Sequence, residues 1–211
     1  MGGLVPPSLC EERQAIEYLL RRSGSAAQQP AIVAGQLIRE FGSFTAILAG
    51  STTRLRRAGA DDEAIEAFRW CRSAVLLSLR RLVVEKPVIG TSSALRDYLH
   101  VDMSTANQER FRTLFLNGKN ELLLDETTTG TVDTAPFYAR EIVARALEIG
   151  ATSLILVHNH PSGDPRPSRS DIDATVAFDK ICRGLGLVLL DHLIVGRHAI
   201  VSLRDERLIG Q

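Results

Sequence analysis

Between residues 153 and 171 the chain reads Ser-Leu-Ile-Leu-Val-His-Asn-His-Pro-Ser-Gly-Asp-Pro-Arg-Pro-Ser-Arg-Ser-Asp. The short apolar run at its start predicts a buried strand, and the Pro/Gly-rich stretch after it predicts a loop. Ser168, with Asp171 three residues later, has the form of a capping box, which predicts a helix over about 169–183. Alternate side chains of a strand share a face, so His158 and His160 would present two imidazoles together at the end of a buried element. Asp171 adds a carboxylate from across the loop. Two histidine nitrogens and one carboxylate oxygen leave the fourth position of a tetrahedral zinc open for water, the layout of a catalytic rather than a structural site. Two bland readings stand beside this one. Histidines also end strands simply as polar groups meeting solvent, and an aspartate at the third position of a helix also serves only as a cap.

Composition adds bounds rather than direction. Of 211 residues, 45% are hydrophobic and 24% charged, ordinary for one or two globular domains. Lys+Arg and Asp+Glu are both 25, so net charge makes no general case for nucleic acid or membrane. Cys10, Cys71 and Cys182 are odd in number and widely spaced, which indicates neither a disulfide framework nor a thiolate metal site. The N-terminus lacks the form of a signal peptide, and no apolar run approaches the ~20 residues that span a bilayer. A cytoplasmic protein without membrane partners is expected.

Hydrophobic spacing divides the chain in two. Residues 10–86 read as short helices, broken at Ser23-Gly24-Ser25 and Gly42, followed by a long helix from about Asp61 to Val84 that carries Ile65, Phe68, Trp70, Val75, Leu76 and Leu79. The stretch from Glu85 to Ser93 has linker composition, so an all-helical domain over 1–86 and a second domain over 87–211 are expected. In the second, a helix near 93–100 leads to a strand at Arg110–Leu116. Asn117-Gly118 signals a hairpin into Glu121–Leu124, and Pro136 stands where a helix closed by Gly150 would begin. Leu187–Val195 and Ala199–Leu203 read as a last hairpin. Strands alternating with helices indicate an α/β fold with a mixed sheet.

The pattern His158-x-His160, then seven residues, then Ser168-x-x-Asp171, resembles in full the signature of the JAMM (MPN+) zinc metalloproteases. The string His-Asn-His-Pro-Ser-Gly, with Arg140-Glu141-Ile142 upstream and Leu190-Asp191-His192-Leu193-Ile194-Val195-Gly196 downstream, resembles the RadC branch of that fold over residues 88–211 and, more weakly, the N-terminal helices. The resemblance implies a mixed-sheet JAMM/MPN (JAB-like) domain preceded by a small helix-hairpin-helix-like domain. It implies Zn2+ held by His158, His160 and Asp171, with the Ser168 hydroxyl near the developing oxyanion. It further implies an upstream glutamate as general base, for which Glu109, opening the first strand, is the first candidate and Glu141 the second. Glu121 and Glu126 come after them. The implied reaction is hydrolysis of peptide or isopeptide amide bonds by a metal-activated water, on a protein or peptide substrate.

Other metal and thiol chemistries lack their residues. Zinc deaminases need His-x-Glu with Pro-Cys-x-x-Cys, HNH nucleases disperse their three residues rather than placing them in sequence, and no cysteine has an evident base. His100, His192 and His198 read as structural, with His192, beside Asp191, open also to a supporting role behind a ligand. The alternative function is a DNA recombination or repair accessory with a structural or vestigial metal site. A helix-hairpin-helix offers backbone amides to phosphate from a Gly-hydrophobic-Gly turn. Here the corresponding residues are Gly59-Ala60-Asp61-Asp62-Glu63, without the second glycine and with three acids. Arg54, Arg56, Arg57, Arg69, Arg72, Arg80 and Arg81 supply basic surface that is as readily a solvated helix face. DNA binding and assembly into a homo-oligomer both stay open at this point.

Overall fold

A computed structural model describes residues 8–25, 29–84, 93–129 and 138–210. The chain forms two compact units, Met1–Leu77 and Ser78–Gln211. The expected linker lies almost wholly within 85–92, outside the described residues, as does Pro136.

The first unit holds helices α1 (Leu9–Arg22), α2 (Pro30–Phe41), α3 (Phe44–Leu48), α4 (Thr52–Arg57) and most of α5 (Asp62–Val84). Local chemistry sets their starts. Ser8 and Glu11 make a reciprocal capping box on α1, and Ser43 and Ser51 cap α3 and α4 through their hydroxyls. The helix faces meet in one apolar core that includes Ile16, Leu20, Leu37, Ile47, Leu55 and Phe68. Trp70 is not part of it: two residues beyond Phe68 the helix has turned by ~200°, and the indole is 70% exposed. Asp61 accepts from the amide of Ala64 at 3.0 Å and so caps α5, while Asp62 pairs with Arg56 at 2.5 Å.

The second unit contains α6 (Ser93–Met103), β1 (Arg110–Leu116), β2 (Leu122–Thr129), α7 (Ala139–Glu148), β3 (Ser153–Asn159), α8 (Arg169–Gly184), β4 (Val188–Val195) and β5 (Ile200–Ser202). The sheet runs β2-β1-β3-β4-β5, antiparallel except for the parallel pair β3/β4 that α8 connects. It is the expected mixed α/β fold. The β1/β2 hairpin forms, but its left-handed residue is Asn120 rather than Gly118, with Asn117 Oδ1 accepting from the amides of Lys119 and Glu121. Central β3 is buried at every position, which is why its sequence is continuously apolar instead of alternating.

Each sheet face has its own partners. Phe111, Phe115, Leu154, Leu156 and Ile194 pack in one core with Ile142 and Ala146 of α7 and Phe178 and Cys182 of α8. On the opposite face Arg112 of β1 lies 2.5 Å from Asp102 of α6 and 3.2 Å from Asp125 of β2, and Tyr98 of α6 donates to Asp125 at 2.9 Å. Both histidines of the sequence motif leave the carboxyl end of β3 toward α8. Among the described residues, no helix is long and apolar enough to cross a membrane.

The loop from β3 to α8 is seated against the end of β4. His160 N donates to Val195 O at 3.1 Å, and Arg197 N to Gly163 O at 2.9 Å. Gly196 makes this approach possible, because a Cβ there would stand 2.6 Å from Gly163 O and 2.7 Å from Pro165 Cδ. Gly196→Ala is therefore expected to push the loop off β4 at a cost of about 1–3 kcal/mol, read as a lowered denaturation midpoint with unchanged far-UV circular dichroism. An unshifted midpoint would contradict it.

Candidate metal centre

Helix α8 begins where the loop from β3 ends, and its first turn carries the carboxylate. Ser168 is its N-cap: the hydroxyl accepts from Asp171 N at 3.1 Å and donates to Asp171 Oδ2 at 2.6 Å, and Ser168 N donates to the same oxygen at 2.7 Å. Negative charge in that turn also suits the helix dipole. The box leaves the carboxylate facing the end of β3, with Oδ1 3.5 Å from His158 Nε2 and Oδ2 3.6 Å from His160 Nε2. The two Nε2 atoms are 3.0 Å apart. All three potential ligand atoms lie within 4.8 Å of one another. Capping and coordination are thus compatible readings of Asp171.

His158 is fully buried and Asp171 nearly so, while His160 is half-buried and Ser168 exposed, so the cluster opens to solvent on the loop side. Burial holds His158 neutral, with its pKa lowered to about 4 against the opposing pull of Asp171. The hydrogen bond to Asp171 raises His160, with help from the Asp164 carbonyl that its Nδ1 contacts at 2.8 Å. Asp171 stays well below the ordinary carboxylate range. Its burial works the other way, but hydrogen bonds from His160 and Ser168 and the nearby His158 outweigh it. Two imidazole nitrogens and a carboxylate that converge on one point make a donor set that fits a divalent cation.

Behind the ligands is a layer that sequence reading largely missed. His158 Nδ1 is 2.8 Å from His192 Nε2, and His192 Nδ1 is 2.6 Å from Thr175 Oγ1, whose hydroxyl donates to Asp171 O at 2.5 Å. Phe111 stacks on His158 at 6.3 Å between centroids and meets His192 edge-on at 5.9 Å. A polar residue four positions after Asp171, on the buried face of α8, was the available signal for Thr175. Asn159, between the two histidines, is also buried. Its side chain accepts from Arg110 N at 2.9 Å and donates to the carbonyls of Gln108 at 3.1 Å and Ala106 at 3.4 Å, gripping the segment that carries Glu109.

Glu109 is exposed beside the cluster. Its carboxyl is raised above the ordinary range, first by partial desolvation, then lowered by His160 and raised by Asp171. Glu141 is exposed in the first turn of α7. Glu121 accepts from Asn117 in the hairpin turn and Glu126 lies on β2, 4.0 Å from Arg145. His100 contacts Arg197 O at 3.0 Å, and His198 is exposed in the turn after β4.

The buried imidazoles tie stability to pH. Burial depresses the pKa of His158 to about 4 and that of His192 well below 6.5. Below pH 6.5 the unfolded chain therefore takes up protons that the folded chain refuses, and stability falls until the folded values are passed. His160, raised when folded, gains its share above pH 6.5, as pH falls from its folded value, and so offsets part of the loss between pH 7.5 and 4.5, while the depressed Asp171 keeps its contribution until pH falls below the ordinary value of 3.8. The His158 share alone is roughly 3 kcal/mol. Urea denaturation of the metal-free protein is expected to show a lower midpoint at pH 4.5 than at pH 7.5. Equal midpoints would show that these rings are not held neutral.

Residues 89–208 match the family model described as RadC-like JAB domain. A UPF0758 protein of Rhodobacter capsulatus is 43% identical over 179 residues, 84% of each chain. Another, of Ruegeria pomeroyi, is 40% identical over 195 residues, 92% of this chain and 87% of the relative. The JAB superfamily includes hydrolases, and its domains are often metal-dependent. With a matched domain that contains β1 to β5 and the whole His158/His160/Asp171 cluster, this chain belongs to the RadC family.

Proposed function

We propose that the protein is a zinc-dependent hydrolase of peptide or isopeptide amide bonds. The observation that carries this reading is the convergence of His158 Nε2, His160 Nε2 and the Asp171 carboxylate at a mouth beside which Glu109 stands exposed. His158, His160 and Asp171 would hold the ion. When bound, zinc supplies an acidified water at neutral pH and Lewis-acid polarisation of a carbonyl.

The remaining work falls to side chains. Glu109 accepts a proton from water and returns it to the leaving amine. A carboxyl raised by partial desolvation and an adjacent carboxylate is better matched to that exchange than a fully hydrated one. Asn159 holds the Glu109 segment to the end of β3 through backbone atoms, so the base and two ligands share one rigid edge. Ser168 is exposed, and its hydroxyl, now given to Asp171, would turn to donate to an oxyanion as charge moves onto the substrate oxygen. A protein or peptide is the proposed substrate partner.

The DNA-accessory reading has less behind it. In the turn that would bind phosphate, Asp61 already takes the amide of Ala64. Arg54 pairs with Glu40 at 3.0 Å, Arg56 with Asp62 at 2.5 Å, and Arg69 lies 3.9 Å from Glu66. Salt-sensitive binding to duplex DNA that disappears when these arginines become alanine would favour it instead.

Purified protein is expected to carry close to one zinc per chain by mass spectrometry of metals, removed by chelator and absent in His158→Ala. Glu109→Gln should retain the metal and lose about 10²–10⁴-fold in hydrolysis, measured on a peptide and isopeptide library with mass-spectrometric readout. Glu141→Gln should keep the parent rate. Absence of metal in the parent protein would overturn the proposal, and loss of activity in Glu141→Gln but not Glu109→Gln would move the base.

A further inference from the structure

We infer that Thr175 and His192 are positioning residues that lock His158 with its proton on Nδ1, leaving the Nε2 lone pair aimed into the ligand cluster. A neutral imidazole has two tautomers, and the partner of one nitrogen selects between them. Here the selection can be followed atom by atom from a group with no choice. The Asp171 carbonyl can only accept, so the Thr175 hydroxyl, 2.5 Å away, gives it its single proton. Only lone pairs then remain on Thr175 Oγ1 for His192 Nδ1 at 2.6 Å, so that nitrogen carries hydrogen. In a neutral ring His192 Nε2 is then an acceptor, and the hydrogen in its 2.8 Å contact with His158 Nδ1 belongs to His158. A neutral His158 then has no second proton. Its Nε2 is left as a lone pair, 3.0 Å from His160 Nε2 and 3.5 Å from Asp171 Oδ1.

The opposite tautomer would point an N–H at the place where a cation belongs. Burial keeps the relay intact, since Thr175, His192 and His158 are each 0% exposed and Phe111 covers both rings. The relay also closes on itself, because it starts at the backbone of Asp171, whose side chain faces the lone pair it orients. A shift of the first turn of α8 would therefore disturb a carboxylate and an imidazole together.

The metal consequence rests on the zinc reading above, while the tautomer itself does not. Long-range ¹H–¹⁵N correlation spectra of the metal-free full-length protein at pH 7.5 are expected to show His158 protonated at Nδ1 and bare at Nε2. Zinc affinity, measured by competition with a chelating dye, should weaken about 10–100-fold in Thr175→Val, which keeps shape but removes the hydroxyl, and return close to parent in Thr175→Ser. An Nε2–H on His158 in the parent protein overturns the relay, and so does parent-like zinc affinity in a folded Thr175→Val. Because the spectrum is taken on the parent protein, it tests the tautomer even where a variant does not fold. Nδ1–H on His158 with no zinc bound at all supports the relay and sinks the zinc reading alone.

Discussion

The reciprocal hydrogen bonds between Ser168 and Asp171 are the interaction on which the rest of the candidate site depends. They satisfy the orphan amides that would otherwise fray the start of α8, and they turn the carboxylate toward the end of β3. Helix initiation and ligand orientation are thus one event. A carboxylate in a loop would have to be immobilised at an entropic cost when an ion arrived, whereas here folding has already imposed that order.

From that turn the constraint passes through the core. Thr175, one turn further along α8, is buried against His192 of β4, and β4 lies in parallel register with β3 so that His192 pairs with Leu156, two residues before His158. Burying polar groups is tolerable only when each finds a partner. His158, His192, Thr175 and Asn159 all do, as does Asp191, whose oxygens accept from Ser202 Oγ and the amides of His192 and Arg204. The polar seam between β3 and β4 is consequently rigid, and Phe111 seals it.

Much of this was legible in the residues. Apolar run, Pro/Gly loop and capping box were enough to place β3, the loop and α8 within a residue or two, and the two-residue spacing of His158 and His160 set both on one face. Glu109 was reached through resemblance rather than derivation. The geometry adds its proximity to His160 and Asp171 and the grip of Asn159 on the backbone of its neighbours Gln108 and Arg110. Trp70 misled because helical period is judged by neighbours: an aromatic two residues from a core phenylalanine falls on the far side of the helix. The Asn117-Gly118 signal located a hairpin but not which residue adopts the left-handed conformation.

What the sequence determined by itself is local: periodicities, caps, turn chemistry and the spacing that makes a three-ligand set possible. Those signals act over one or two turns of chain, so they survive without knowledge of the fold. Only the tertiary structure decided which groups stand behind the ligands, since Thr175 and His192 are 17 residues apart and His158 and His192 are 34 apart. Sheet register brings them together, and register is a property of strands paired across the chain. The same is true of the protonation states, because burial and hydrogen-bond partners, not residue type, determine which nitrogen of an imidazole holds its proton.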